Sequence, residues 1–175
     1  MPDAPVHDAI TLITAAAADV AYFHFAPHPD PAAAALFTTA YLFAGYACAG
    51  DLDLDSREYR RWGMLRFLWL PYRLCLPHRS WISHGLVLGG AIRAIYLSVV
   101  STLVFWAALW GYSRLGPHVD PTLAASTGWR TILVWTEQNP VLAAAGLGGF
   151  ILAGTAHSLA DFIYSGAKRR LRIFR

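Results

Sequence analysis

Histidines and aspartates stand at one end of each of four apolar stretches. In chain order they are His7, Asp51, Asp53, His78, His84, His157 and Asp161. If the chain crosses a membrane four times in alternating directions, all of these ends lie at the same membrane face. A set of imidazole nitrogens and carboxylate oxygens without thiolates favours zinc, with manganese or iron as alternatives. The pattern predicts a divalent-metal centre at one end of a helical bundle.

The sharpest local pair is His157 with Asp161. Residues four apart on a helix point the same way, so an imidazole and a carboxylate at this spacing can bind one ion or bridge two. A carboxylate at the centre of a membrane helix costs about 2.5–3.5 kcal/mol, which makes a purely structural role less favourable than in water. We predict metal ligation, with a hydrogen bond between helices as the alternative.

Acidic and apolar residues alternate from Asp51 through Asp53 to Asp55. In an extended chain the three carboxylates would share one face. We predict that Asp51 and Asp53 bind metal and that Asp55 pairs with Arg57 or Arg60. A solvated loop that caps a helix is the alternative.

His78 and His84 are six residues apart, and one continuous helix would place them on different faces. A turn after Pro77 would let both rings reach one ion. Arg79 can bind a phosphate through two parallel hydrogen bonds. The alternative is a pair of ordinary histidines at a membrane surface.

Seven candidate ligands exceed the needs of one tetrahedral zinc ion. Either two ions are bound, or one ion is surrounded by supporting carboxylates. If the centre is catalytic, hydrolysis of a phosphoester is the reaction that it suits best. Asp53 or Asp161 would then act as general base, and Arg79 would hold the phosphate.

The composition indicates a membrane protein. The 175 residues are 56% hydrophobic and only 14% charged, whereas soluble proteins carry about 25% charged residues. We expect an all-α integral membrane protein forming one domain over residues 1–175, with an interfacial amphipathic segment at about 57–83. Four transmembrane helices are predicted at about 7–25, 32–50, 85–112 and 140–163.

Single residues within these spans carry further predictions. Arg93 lies within two turns of the start of the third span, from where its side chain can snorkel to the interface. Asp19, in the middle of the first span, indicates a buried hydrogen bond or a polar cavity. Glycines in the fourth span would let neighbouring helices approach closely; they are Gly146, Gly148, Gly149 and Gly154.

Basic residues predict the orientation. The loop after the second span has six arginines and the C-terminal tail has five basic residues, whereas the other two loops have two between them. This asymmetry places both termini and the metal-binding ends in the cytoplasm. The basic residues lie beside the spans, so we expect membrane lipid as a partner and no nucleic acid, although the net charge is +3.

The remaining titratable residues have simpler interpretations. His24, His28 and His118 fall away from the metal-binding ends and are read as surface residues. Cys48 and Cys75 do not form a disulfide framework. The first eight residues contain no lysine or arginine, which argues against a cleavable signal peptide.

Four motifs in this order resemble a family of small bacterial membrane proteins described as metal-binding and common in cyanobacteria. The motifs are His7, Gly-Asp51-Leu-Asp53, His78-Arg…Ser-His84-Gly and His157-x-x-x-Asp161. The run GDLDLDSREYRRWGMLRFLWLPYR and the following HRSWISHG are especially similar. That family resembles the YdjM-type membrane-bound metal-dependent hydrolases and, more remotely, zinc-dependent phospholipase C and single-strand nucleases.

The resemblance implies a membrane-bound, metal-dependent hydrolase in a bacterial inner or thylakoid membrane. It also implies that the seven residues named at the outset bind the metal. A non-enzymatic alternative is an accessory or assembly subunit of a larger membrane complex, or a homo-oligomer, in which the ion is a structural clasp.

Overall fold

The computed structural model describes residues 4–76, 80, 85–115 and 119–173, and within these ranges it contains helices and no strand. The all-helical class is therefore confirmed. The α-helices are α1 (Ala4–Phe25), α2 (Pro31–Ala47), α3 (Arg57–Arg61), α4 (Leu70–Cys75), α5 (Leu88–Leu115), α6 (Pro121–Gln138) and α7 (Pro140–Ile173). Two 3₁₀ segments, Gly50–Asp53 and Gly63–Trp69, flank α3.

Four of these helices are long and apolar enough to cross a bilayer. The segments that meet this criterion are Pro5–Phe25, Pro31–Asp53, Leu88–Leu115 and Pro140–Gly166. They coincide with the four predicted stretches except at their ends, where α5 begins later than expected and α7 continues well beyond residue 163. Length and composition are all that this agreement tests, so membrane crossing stays a prediction.

The break between the first two long helices follows from local chemistry. The chain contains three prolines between Phe25 and Ala32, and proline disrupts a continuing helix. Asp30 caps the next helix because its carboxylate accepts a hydrogen bond from the backbone N–H of Ala32 at 2.8 Å. Pro31 occupies the first turn, where its missing N–H is not needed.

Close packing of α2 on α7 forms the centre of the fold, and α1 packs against both. Gly149 faces the backbone carbonyl of Phe37 so closely that a β-carbon would overlap it. Gly146 lies against the side chain of Leu36, whereas Gly148 faces open space. The glycine prediction thus holds for the face that carries Gly149 and not for Gly148.

Arg93 corrects one expectation from the sequence. Instead of snorkelling to the interface, it is 1% exposed and lies beside Gly154 of α7, whose missing side chain leaves room for the guanidinium. The reason is the docking of the first turns of α5, where Gly90 packs on the backbone of Ile151. That contact fixes the rotation of α5 and turns Arg93 towards the bundle.

The segment between α2 and α5 is described up to Leu76 and at residue 80. It anchors itself through aromatic rings, with Trp69 and Tyr72 buried against Tyr96 of α5. Other apolar side chains on it, such as Met64 and Leu74, are exposed. One buried and one exposed apolar face are compatible with the predicted interfacial position, which stays a prediction.

Candidate metal centre

Residues from the beginning and the end of the chain meet at one end of the bundle. His7 lies in the first turns of α1, and His157 and Asp161 lie on successive turns of α7. One ligand atom from each of these three residues falls within 4.8 Å of the others. The structure thus brings together three of the seven predicted ligands in a group compact enough for one ion.

The carboxylate of Asp161 lies close to both imidazoles. His7 Nε2 is 3.2 Å from Asp161 Oδ1, and His157 Nε2 is 3.8 Å from Asp161 Oδ2. The two imidazole rings are stacked, with centroids 4.0 Å apart and planes inclined by 22°. Both Nε2 atoms are therefore near the same carboxylate, as the four-residue spacing in α7 predicted for His157.

The ligand atoms of this group are buried without hydrogen bonds. His7, His157 and Asp161 are 4%, 5% and 9% exposed. Within the described part of the chain, neither Nδ1 of His7 nor Nε2 of His157 has a hydrogen-bond partner, and the 3.2 Å approach of His7 Nε2 to Asp161 Oδ1 does not have hydrogen-bond geometry. Buried polar atoms normally have a hydrogen-bond partner, and burying one without a partner costs about 1–3 kcal/mol. A divalent cation would satisfy them together, so the donor set fits a metal ion.

The turn after α2 adds a second carboxylate and separates the three aspartates. Asp51 Oδ2 is 3.8 Å from His157 Nε2, which places it beside the three-residue group. Asp53 is buried, whereas the side chain of Asp55 is 56% exposed. The prediction that the three carboxylates share one face is therefore wrong, because Gly50–Asp53 forms a 3₁₀ turn and not an extended strand.

Asp55 instead pairs with Arg60, as one of the two sequence alternatives predicted. The guanidinium of Arg60 donates two hydrogen bonds to its carboxylate, the shorter at 2.8 Å. These bonds hold the pKa of Asp55 below its ordinary value. Asp55 is therefore a surface ion-pair partner and lies outside the metal-binding group.

Two arginines of α3 form ion pairs with Asp8 near the start of α1. Arg61 Nη2 is 2.6 Å from Asp8 Oδ2, and Arg57 Nη1 is 3.5 Å from the same oxygen. Arg61 also donates a hydrogen bond to the backbone carbonyl of Tyr46 in α2 at 2.8 Å. Because His7 directly precedes Asp8, these contacts hold the backbone next to His7 against α2 and α3.

Glu58 is a functional candidate that the sequence interpretation missed. It is 3% exposed and lies on α3 between two arginines that bind Asp8. The prediction of a membrane-surface segment over residues 57–83 assigns no role to Glu58. One signal was present, since Glu58 is the only acidic residue among the six arginines of that stretch.

Three predicted site residues, His78, Arg79 and His84, lie outside the described residues, so their roles stay predictions. The residues just before α5 are nevertheless held close to the metal-binding part of α7, because the hydroxyl of Thr155 donates a hydrogen bond to the carbonyl oxygen of Leu86.

Two of the histidines read as surface residues, His24 and His28, are exposed, whereas His118 is not described. Asp19 is half-buried and agrees with the hydrogen-bond alternative, whereas the cavity beside it is lined mainly by apolar residues. The Asp19 carboxylate accepts hydrogen bonds from Thr38 Oγ1 at 2.6 and 2.7 Å, and it lines this cavity of about 300 Å³.

Comparison with known proteins adds a family and a relative. The model of the family described as "Uncharacterized metal-binding protein (DUF2227)" matches residues 2–171. An "Uncharacterized protein" of Aquifex aeolicus (strain VF5) is 37% identical over 62 residues. That alignment covers 35% of this chain and 43% of the relative, so the chain spans less than half of that protein. No solved structure matches.

Proposed function

Because the chain belongs to the family described as uncharacterized metal-binding proteins, DUF2227, we propose that it is a membrane-embedded, metal-dependent hydrolase. Its substrate would be a phosphoester, with a lipid headgroup as the natural source. The single observation that carries this proposal is the group of buried ligand atoms without hydrogen bonds in His7, His157 and Asp161.

The three ligands that meet among the described residues are compatible with a catalytic site. Structural zinc sites use four protein ligands, whereas catalytic sites use three and leave one position for water or substrate. A bound zinc ion would lower the pKa of a water to about 7 and polarise the phosphoryl oxygen. Nitrogen and oxygen donors are also compatible with manganese or iron.

The protein's own residues would divide the remaining tasks. The buried carboxylate of Asp53 or Asp161 would accept a proton from the attacking water. The water oxygen would then bond to phosphorus, the ester P–O bond would break, and the leaving oxygen would take up a proton. Arg79 would hold the phosphate, and His78 and His84 would complete the centre, as the resemblance of the sequence implies.

The apolar exterior supports a membrane as the surroundings. In α5 the buried residues are confined to Gly89, Gly90 and Arg93, and large apolar side chains such as Leu103 and Phe105 are exposed further along. Lipid would cover this surface. With the basic loop and tail on the cytoplasmic side, the centre would lie at the inner headgroup level, in a bacterial inner or thylakoid membrane.

The accessory-subunit alternative has one specific observation in its favour. None of the residues of α6, all of which the structure describes, is buried, and α6 exposes Trp129 and Trp135. A larger complex or a second copy could cover this surface, and the ion would then clamp the bundle without catalysis. Co-purification of the chain with a complex, with no open coordination position at the metal, would favour this role.

Hydrolysis by the purified full chain tests the proposal. In lipid–detergent micelles with added zinc or manganese, the chain should release phosphate-containing headgroups or nitrophenol from a phosphodiester. His157→Ala should abolish the reaction, and His24→Ala, which changes an exposed histidine, should leave it intact. Equal rates for both variants would refute catalysis at this centre.

A further inference from the structure

A cavity of about 300 Å³ lies between α1, α2 and α7, away from the metal centre. Its walls come from the last turns of α1 and from the first turns of α2 and α7. The metal-binding residues of α1 and α7 lie towards the other end of the bundle. The titratable side chains in the lining are Asp19 and Tyr22, whereas alanines, Phe37 and Val141 supply the rest. The cavity is therefore apolar with one carboxylate.

Hydrogen bonds and close packing hold the walls of this cavity in place. Thr38 Oγ1 lies 2.7 and 2.6 Å from the two carboxylate oxygens of Asp19. The backbone N–H of Asp30 donates a hydrogen bond to the hydroxyl of Tyr22 at 2.9 Å, which fixes that ring beside the turn between α1 and α2. Gly149 lets α7 approach the backbone of Phe37. A ligand that enters a cavity with fixed walls avoids the cost of ordering them.

The carboxylate of Asp19 can accept more hydrogen bonds than the described residues donate to it. The hydroxyl of Thr38 has one proton for two oxygens, whereas an ionised carboxylate has about four acceptor positions. Among the described residues, no ion pair involves Asp19. A carboxylate in apolar surroundings is costly unless a cation or further donors balance its charge.

The three helices around the cavity supply no strong base to balance Asp19. Residues 1–56, which include α1 and α2, contain no lysine or arginine, and neither do residues 140–167 of α7. The imidazole of His24, in the last turn of α1, is exposed. A cation that neutralises Asp19 therefore comes from outside this part of the chain.

We infer that this cavity binds a small organic ammonium ion. The ammonium group donates hydrogen bonds to Asp19, and the rings of Tyr22 and Phe37 attract it through their π faces. The apolar part of the ligand packs against the alanines. A volume of about 300 Å³ is at the small end of ligand sites and suits a compact amine. This site goes beyond the proposed function, because it involves neither the metal nor hydrolysis.

Benzylamine and benzyl alcohol test the inference, because they have nearly the same shape and differ in charge. Benzylamine is protonated at pH 7, as the side-chain amine of lysine is. Calorimetric titration of the full chain in maltoside micelles, with empty micelles as the blank, should give at least a tenfold higher affinity for benzylamine. Equal affinities, or no binding of benzylamine, overturn the inference.

Two pairs of variants locate the binding. Asp19→Asn keeps the shape of the side chain and should weaken benzylamine binding at least tenfold, whereas Glu137→Gln, at an exposed glutamate of α6, should not. Ala145→Leu fills the cavity and keeps the carboxylate, so it should also weaken binding. Ala144→Leu, at the exposed neighbouring position, should not. Unchanged affinity in Asp19→Asn or in Ala145→Leu contradicts the site, and Ala145→Leu decides the matter if Asp19→Asn does not fold.

Competition identifies the source of the ammonium group. If phosphatidylethanolamine added to the micelles displaces benzylamine and phosphatidylcholine, whose ammonium has no N–H, does not, the ligand is a lipid headgroup. If neither lipid displaces benzylamine, the ligand is a free amine. Both results support an ammonium site. Equal displacement by the two lipids shows that benzylamine binds to the general lipid-covered surface, and this overturns the inference.

Discussion

The imidazole of His7 stacks on the imidazole of His157 at a centroid distance of 4.0 Å, and this contact joins the first long helix to the last. Asp161 lies within ion-pair distance of both rings. Two stacked imidazoles cannot both be protonated there without repulsion, whereas a shared cation would hold both as neutral ligands. The stability of this end of the bundle should therefore depend on metal.

Removing one imidazole should release the metal. We expect His157→Ala or His7→Ala to weaken zinc binding at least tenfold, because each removes a direct ligand. Replacing a residue that only hydrogen-bonds to a ligand already lowers metal affinity by about 10–100-fold. Elemental analysis after dialysis measures this. His24→Ala, at an exposed position of the same helix as His7, serves as the control and should keep its metal. Full zinc retention by His157→Ala would exclude the three-residue group as the site.

Two neighbouring glycines of α7 should respond in opposite directions to alanine. Gly149→Ala forces a β-carbon into the backbone of Phe37, and we expect a loss of about 1–3 kcal/mol in the free energy of unfolding. Gly148 faces open space, so Gly148→Ala should stabilise the helix by up to about 1 kcal/mol. Denaturant or thermal unfolding in detergent would compare the two, and equal effects would contradict the described packing of α7 on α2.

Replacing Arg61 and replacing Arg60 should have very different effects on stability and on metal binding, although the two residues are adjacent. Arg61→Ala removes the contacts with Asp8 and Tyr46, and we expect a loss of about 1–2 kcal/mol together with weaker metal binding, because the backbone beside His7 is released. The Arg60 side chain is 65% exposed and pairs only with exposed Asp55 among described residues, so Arg60→Ala should leave both quantities unchanged. Unfolding and metal titration of both variants would decide this.

Thr38 should contribute to stability through Asp19. Thr38→Val removes the hydroxyl that hydrogen-bonds both oxygens of the Asp19 carboxylate, and we expect a loss of about 1–3 kcal/mol. Thr39→Val, at the exposed neighbouring position, is the control and should have little effect. In a double-mutant cycle, Asp19→Ala, which leaves no acceptor for the Thr38 hydroxyl, should abolish most of the Thr38→Val effect, and independent effects would rule out this hydrogen bond as the cause.

Much of the fold was accessible from the sequence because it depends on local features. The lengths of the apolar stretches, the prolines before α2 and Pro140 at the start of α7 each act within a few residues. The joint orientation of His157 and Asp161 follows from helical spacing alone. For this reason the described helices begin and end close to the predicted stretches.

Features that depend on how helices rotate against each other were not accessible. The inward position of Arg93 requires knowledge that Gly154 of another helix faces it. The separation of Asp53 from Asp55 depends on a 3₁₀ turn docking under α3. Glu58 is buried on α3, whose arginines Arg57 and Arg61 contact Asp8 of α1, and such long-range contacts are not visible in the sequence.

The meeting of His7 with His157 also bears on how the protein is made. A ribosome synthesises α1 first and α7 last, so newly made chains hold only His7 of the three described ligands until the final long helix has emerged and docked. Metal capture would then report that assembly is complete. Chains interrupted before residue 157 would lack this fastening and should be the preferred targets of cellular proteolysis.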